Sequence, residues 1–288
     1  MAPEMADRPT GSTVPAPAPA DGIPGREPGP TGTIEPAPAE GSTDPEGARA
    51  AAEVTGPPAV AGAIGARVVA VIPAHDEGPR IATVVRGTVA HVPAYVVDDG
   101  SSDDTAERAT EAGAIVMVQR PNRGKGAALR TGFARAIADG ADAVVTLDAD
   151  GQHDPTEIPR FLEVFGQGRP DLVVGSRDFR RMPPVRRLSN SLGGRAFSWA
   201  VGRDIPDNQS GYRLVSRRLM EALAQSDEDG FAFEVEMIVE AVRRGWPVAW
   251  VPIRTIYAGE PSHIRPWRHF TEFVGIVRKA RRDVRTRP

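Results

Sequence analysis

Ala143-Val144-Val145-Thr146-Leu147-Asp148-Ala149-Asp150-Gly151-Gln152-His153-Asp154 is the stretch on which the fold turns. Its first five residues form an apolar, β-branched run that reads as a buried strand. Carboxylates crowd the end of that strand. In an α/β sheet the carboxyl ends of the strands face the ligand crevice. Two Asp residues one position apart repel each other unless a cation or hydrogen bonds compensate. A divalent metal carrying a nucleotide diphosphate would do so, because hard cations take oxygen ligands.

Working outward, strands and helices alternate. Arg67-Val68-Val69-Ala70-Val71-Ile72-Pro73 reads as a buried strand, and residues 79–91 as a helix. Tyr95-Val96-Val97 is a second strand, ending in Asp98-Asp99-Gly100-Ser101-Ser102. Asp103 or Ser102 caps the helix that holds Thr105 to Ala112. Ala114 to Val118 is a third strand. Gly126 to Ala138 is helical, with Leu129, Phe133 and Ile137 on one face. After the opening stretch, Pro155 starts a helix to about Phe165, and Asp171-Leu172-Val173-Val174-Gly175 is a strand. Leu188 to Val201 and Glu234 to Arg243 read as helices. Trp246 to Val251 reads as a strand, with Pro247 favouring a sheet edge. This alternation predicts an α/β fold with a mainly parallel central sheet flanked by helices.

Composition bounds the rest. Residues 1–65 are rich in Pro, Ala, Gly, Glu, Ser and Thr, a mixture expected to stay disordered. A domain at 66–265 follows, and 266–288 form a basic C-terminal segment. There Trp267, Phe270, Val274 and Val277 fall on one helical face, as in helices that lie on an anionic bilayer; packing on the protein's own core explains the same stripe. No apolar run approaches the roughly 20 residues of a membrane span. The chain has no Cys, which excludes disulfides and thiolate metal sites. The expected location is the cytoplasm, with a peripheral place at the inner face of the plasma membrane as the extension of that reading. A net charge of −3 gives no general reason to expect nucleic acid.

Four successive strand ends carry polar residues toward one crevice: Pro73-Ala74-His75-Asp76-Glu77, Asp98-Asp99-Gly100-Ser101, Asn122-Arg123-Gly124-Lys125-Gly126, and Asp148 with Asp150 and Gln152. Together these motifs resemble the family 2 glycosyltransferases over roughly Val68 to Tyr257. Within that family, Gly124-Lys125-Gly126, Asp150-Gly151-Gln152-His153, Gly175-Ser176-Arg177 and Ser210-Gly211-Tyr212-Arg213 are similar to polyprenyl-phosphate sugar synthases such as the dolichol-phosphate mannose synthases. The resemblance implies a Rossmann-like, nucleotide-sugar-binding A-type glycosyltransferase fold.

It also implies residue roles. Pro73, Ala74, Glu77 and Asp99 would surround the nucleotide, the two carboxylates accepting from ribose and base. Lys125, before a helix and between glycines, would meet a phosphate. Asp150 would bind Mg2+ or Mn2+ bridging the diphosphate. Asp148 would take the ribose or the metal's surroundings, and Gln152 would add a metal ligand. Arg177 would grip an acceptor phosphate, helped by Arg187 and Ser191, with Arg186, Asn190 and Arg195 as rivals. Gln209 and Arg213 would line the sugar and diphosphate, or shape a turn. Glu234 would bind a sugar hydroxyl or cap its helix. Asp76 stands where the family commonly has Asn.

The expected activity is metal-dependent, inverting transfer from a nucleotide-diphosphate sugar, GDP-mannose or a UDP-hexose, to a polyprenyl phosphate. The alternatives are a soluble or glycan acceptor, a sugar-phosphate nucleotidyltransferase, and a non-catalytic nucleotide-sugar-binding module. The nucleotidyltransferase would carry a Gly-rich, basic loop after the first strand, which Pro73-Ala74-His75-Asp76-Glu77 is not.

Overall fold

The strands of the first half are mainly apolar because the central ones are buried on both faces. The computed structural model describes residues 65–177, 184–230, 232–254, 256, 275 and 277–284, and of residues 184–192 the backbone alone. All of them belong to one compact unit, Glu53–Pro288. Of the expected tail at 1–65, residues 1–64 lie outside the described residues.

The first half alternates β1 (Val68–Ala74), α1 (Gly78–Val89), β2 (Ala94–Asp98), α2 (Thr105–Glu111), β3 (Ile115–Val118), α3 (Lys125–Ala138) and β4 (Ala143–Thr146). A 3-10 turn at Pro155–Glu157 leads into α4 (Ile158–Gly168), β5 (Leu172–Arg177) and α5 (Pro184–Val201). Then come β6 (Arg213–Ser216), α6 (Arg217–Leu223), α7 (Ala232–Arg243) and β7 (Val248–Ile253). Residues 277–284 are helical.

The strands form one sheet in the order β3-β2-β1-β4-β6-β5-β7. Only β6 runs antiparallel to its neighbours, β4 and β5. The pairs β1–β2, β2–β3, β1–β4 and β5–β7 are parallel. So β1, β2, β4 and β5 all end at one edge, and β6 begins there. The chain winds from β1 outward to β3 and returns to β4 on the other side of β1. Such a reversal opens a crevice at the strand ends, here between β1 and β4.

Period-two alternation sorts β1 between two cores. Val68, Ala70 and Ile72 pack with Ile81 and Val85 of α1 and Phe161 and Leu162 of α4. Val69 and Val71 pack on the other face with Leu129 and Phe133 of α3, Phe197 of α5 and Met237 of α7. Pro247 directly precedes β7, the edge strand.

One local expectation is corrected, two elements were not foreseen, and one open alternative gains support. The N-cap of α2 is Asp104, without a side-chain cap bond. Asp103 instead accepts from the N–H groups of Thr105 and Gly78, at 3.0 Å each, joining α2 to α1. β6 and α6 had no expected counterpart. Four residues give too short a period to read, and the motif before them drew a ligand-binding reading. In the C-terminal helix, Val277, Ala280 and Val284 pack on the protein's own core; Trp267, Phe270 and Val274 lie outside the described residues.

Gly132 of α3 rests on β1, where an added Cβ would stand 2.3 Å from Val71 Cγ1. Gly132→Ala is therefore expected to lower stability by about 1–3 kcal/mol, read by urea unfolding, with Val71→Ala in the same chain recovering part of the loss. An unchanged midpoint for the single variant would contradict this packing.

Candidate functional site

Asp76 begins the site with a backbone constraint. Its φ is 53°, a left-handed conformation that Asp and Asn tolerate better than most residues. Its carboxylate accepts from the Ser102 N–H at 2.7 Å and the Ser102 hydroxyl at 3.1 Å. These bonds hold it below the usual carboxylate range. They also tie the end of β1 to the loop after β2. In that loop Asp98 accepts from the Ser101 N–H at 3.1 Å and so holds the turn.

Asp99 is buried and clamps the next loop. Its Oδ1 accepts from Gln119 Nε2 at 2.6 Å and the Arg123 N–H at 2.8 Å, and its Oδ2 from the Gly124 N–H at 2.7 Å. Gly124 follows with φ 93° and starts α3, so Lys125 occupies the first helical position. The two glycines around Lys125 serve packing. A Cβ on Gly124 or Gly126 would stand 2.5 Å from the carbonyl oxygens of Asp229 and Glu228, respectively. The Gly126 N–H donates to Asp229 O at 2.7 Å, so this helix-start donor is already taken.

Lys125 Nζ lies 2.5 Å from Asp148 Oδ1 and 3.0 Å from Glu234 Oε1. Burial alone would lower its pKa; Asp148 and Glu234 overbalance that and hold it above the ordinary lysine value. Burial likewise pushes Asp148 up, but Lys125 and His153 outweigh it and bring Asp148 down to about 2. The backbone N–H of Asp148 donates to His153 Nδ1 at 3.0 Å, and burial pushes the imidazole pKa down, keeping that nitrogen an acceptor. His153 also lies against Tyr212, with ring centroids 5.1 Å apart.

Pro73, Ala74, His75, Glu77, Asp99, Asn122, Lys125, Asp148 and Asp150 line one cleft of about 380 Å³ at the β1/β4 switch. Seven of the expected site residues thus meet in one place. Glu77 pairs with Arg80 at 2.8 Å. Asp150 is half-buried, and its Oδ1 accepts from the Gln152 N–H at 2.9 Å. Among the described residues no three His, Asp or Glu side chains form a metal cluster. The donor set nevertheless fits Mg2+ or Mn2+, because Mg2+ sites commonly join one or two carboxylates to substrate phosphates.

Arg177 and Gln209 lie outside that lining and share a different partner. Asp207 receives Arg177 Nε at 2.7 Å and Nη2 at 3.0 Å, and the Gln209 N–H at 3.0 Å. Asp207 was not singled out from sequence, although it opens the motif that holds Gln209 and Arg213. Arg187 and Ser191 sit on α5, with side chains outside the described residues.

Arg213 departs from the expectation that it lines the sugar. It is fully buried, and it donates to the carbonyls of Ser210 at 2.8 Å, Asn208 at 3.4 Å and Glu234. The guanidinium therefore staples the 207–212 loop to the first turn of α7. Gly211 in that loop faces the charges directly. A Cβ there would stand 2.8–2.9 Å from the carboxylate oxygens of Asp148 and Glu234.

Comparison with known proteins agrees with this geometry. The family model "Glycosyl transferase family 2" matches residues 69–224. The chain is 34% identical over 204 residues to the polyprenol monophosphomannose synthase of Mycolicibacterium smegmatis, covering 65% of this chain and 76% of the relative. It is 31% identical over 205 residues to the undecaprenyl-phosphate mannosyltransferase of Micrococcus luteus, covering 65% and 82%. The solved glucosyl-3-phosphoglycerate synthase of Mycobacterium tuberculosis, in complex with Mn2+, UDP-glucose and phosphoglyceric acid, superimposes with a TM-score of 0.59 at 23% identity, covering 79% and 82%. That likeness places the fold among the A-type glycosyltransferases. On the family match and these relatives, the chain belongs to glycosyl transferase family 2 and is a glycosyltransferase.

Proposed function

We propose that this glycosyltransferase moves a hexose from a nucleotide-diphosphate sugar, GDP-mannose or a UDP-hexose, to a polyprenyl phosphate, with Mg2+ or Mn2+ at Asp150. The observation that carries the donor half is the cleft at the β1/β4 switch, where Glu77, Asp99, Lys125, Asp148 and Asp150 converge. The names of the two mannosyltransferase relatives support the acceptor.

In this reading Glu77 and Asp99 meet the ribose and base, while Asp150 and Asp148 face the diphosphate. Gln152 remains a candidate ligand beside Asp150. A bound divalent cation would neutralise charge on the departing nucleoside diphosphate. The bond from the anomeric carbon to the diphosphate oxygen breaks as the acceptor phosphate oxygen bonds from the opposite face, which inverts the configuration. That oxygen is already anionic near neutral pH, so no strong base is needed. Arg177, oriented by Asp207, would hold the acceptor phosphate, with Arg187 and Ser191 on α5 beside it. Catalysis is then mostly positioning and charge stabilisation.

A peripheral membrane position follows from the same reading. Among the described residues no helix is long and apolar enough to cross a membrane. Trp199 on α5 is 65% exposed, and the Arg281 guanidinium stacks on its ring at 3.4 Å from the centroid. Arg195, Arg278 and Arg282 are also exposed. An aromatic ring among cations suits an anionic lipid surface.

A screen of GDP- and UDP-sugars, with and without polyprenyl phosphate, tests the activity. Metal-dependent release of nucleoside diphosphate is expected only with the lipid phosphate; transfer to an unphosphorylated sugar and none to the lipid would reject the acceptor. Asp150→Ala is expected to cut turnover by about 100-fold or more, and full turnover with added Mn2+ would remove Asp150 from the metal site. Vesicles of phosphatidylglycerol should co-sediment the protein more than phosphatidylcholine vesicles, and Trp199→Ala with Arg282→Glu should weaken this. Equal partition to both lipids would argue against the surface.

A further inference from the structure

Lys125 is the unusual member of the donor cleft, because a cation already stands where a metal and a diphosphate are to be accommodated. Its ammonium bridges Asp148 and Glu234, whose carboxylates come from β4 and α7. Its own place at the start of α3 is pinned by the Asp99 clamp and by Asp229 O. Glu234 is buried, and Arg213 fixes its backbone carbonyl. Gly211 leaves no side chain between the two carboxylates and the protein behind them. Asp148 and Glu234 are thus built to share one cation.

We propose that Lys125 is a resident counter-cation that occupies Asp148 while the cleft is empty, and that Glu234 is the positioning residue that retains Lys125 when Asp148 is released. This rests on the reading of the cleft as a divalent-cation and diphosphate site. Asp148, Asp150 and Glu234 carry three negative charges against one each on Lys125 and the buried Arg213, so these groups together keep a net negative charge that suits a cation. Without Glu234, freeing Asp148 would take both of these carboxylates from a buried ammonium, an unfavourable change. With Glu234, the ammonium keeps a carboxylate and can turn toward the incoming phosphate. Lys125 therefore competes with the metal for Asp148 and cooperates with the diphosphate.

That double role gives opposite signs in one experiment. Mn2+ alone is titrated into the full chain, with free Mn2+ read from its electron paramagnetic resonance signal, and the series is repeated with GDP or UDP. Lys125→Gln is expected to bind Mn2+ alone more tightly, on the order of 5-fold to 10-fold, yet to bind the nucleotide more weakly in the presence of Mn2+. Glu234→Gln is expected to bind Mn2+ more weakly by a similar factor, and Lys125→Arg to return toward the unaltered protein. Thermal melting of each variant establishes that it is folded. A folded Lys125→Gln variant with unchanged or weaker Mn2+ affinity overturns the proposal while leaving the site reading intact. If the unaltered protein binds no Mn2+ with either nucleotide, the metal reading itself fails. If Lys125→Gln does not fold, Glu234→Gln decides: unchanged Mn2+ affinity there overturns the exchange.

Discussion

The ammonium of Lys125 stands 2.5 Å from Asp148 Oδ1 and 3.0 Å from Glu234 Oε1, and the loops around it are arranged to keep it there. Removing one partner from a buried pair typically costs about 3–5 kcal/mol, a large share of a domain's roughly 5–15 kcal/mol. Each brace has a separate origin in the chain. Gly124 and Gly126 admit the 228–229 backbone, Gly211 admits the two carboxylates, and His153 fixes the backbone of Asp148. Arg213 joins the loop that carries Gly211 to the helix that carries Glu234. Substitution at any of these positions is expected to be felt at Asp148, although of them only Gly124 lines the cleft with Lys125 and Asp148.

The sheet topology decides where this arrangement can sit. Four strands ending at one edge bring Ala74, Asp99, Asp148 and Arg177 to the same side, and the β1/β4 reversal supplies the opening. The antiparallel β6 starts at that side, so the 207–212 loop that leads into it meets Asp148 there. One end of the sheet thereby carries a donor cleft and, beside it, the Arg177–Asp207 pair.

The first half of the fold was legible because β1, β2 and β4 are buried on both faces and its helices keep a regular apolar face. Val68 to Ile72, Val144 to Leu147 and the Leu129–Phe133 spacing suffice for that. Strand ends rich in Asp also disclosed the cleft, since residues at the carboxyl ends of the strands in an α/β sheet face the ligand crevice. What stayed hidden depends on distant pairing. β6 spans four residues, and its neighbours β4 and β5 are far away in sequence. Arg213 carries the same charge as a phosphate-binding residue, and only its burial among carbonyls assigns it to the scaffold. Gly126 resembles part of a phosphate loop until Glu228 and Asp229 are found against it. Asp207 has no neighbouring residue that signals its bond to Arg177, thirty positions away.

Together these features describe a cleft in which Lys125 already pairs with Asp148 and Glu234, a pairing that the proposed metal and diphosphate would rearrange. Anomalous diffraction from crystals of the full chain grown with Mn2+ and a nucleoside diphosphate observes that rearrangement directly. The account predicts a Mn2+ peak beside Asp150, with Lys125 retained by Glu234 and withdrawn from Asp148. A Mn2+ peak away from Asp150, or a Lys125–Asp148 pair left intact beside the bound metal and diphosphate, would contradict it.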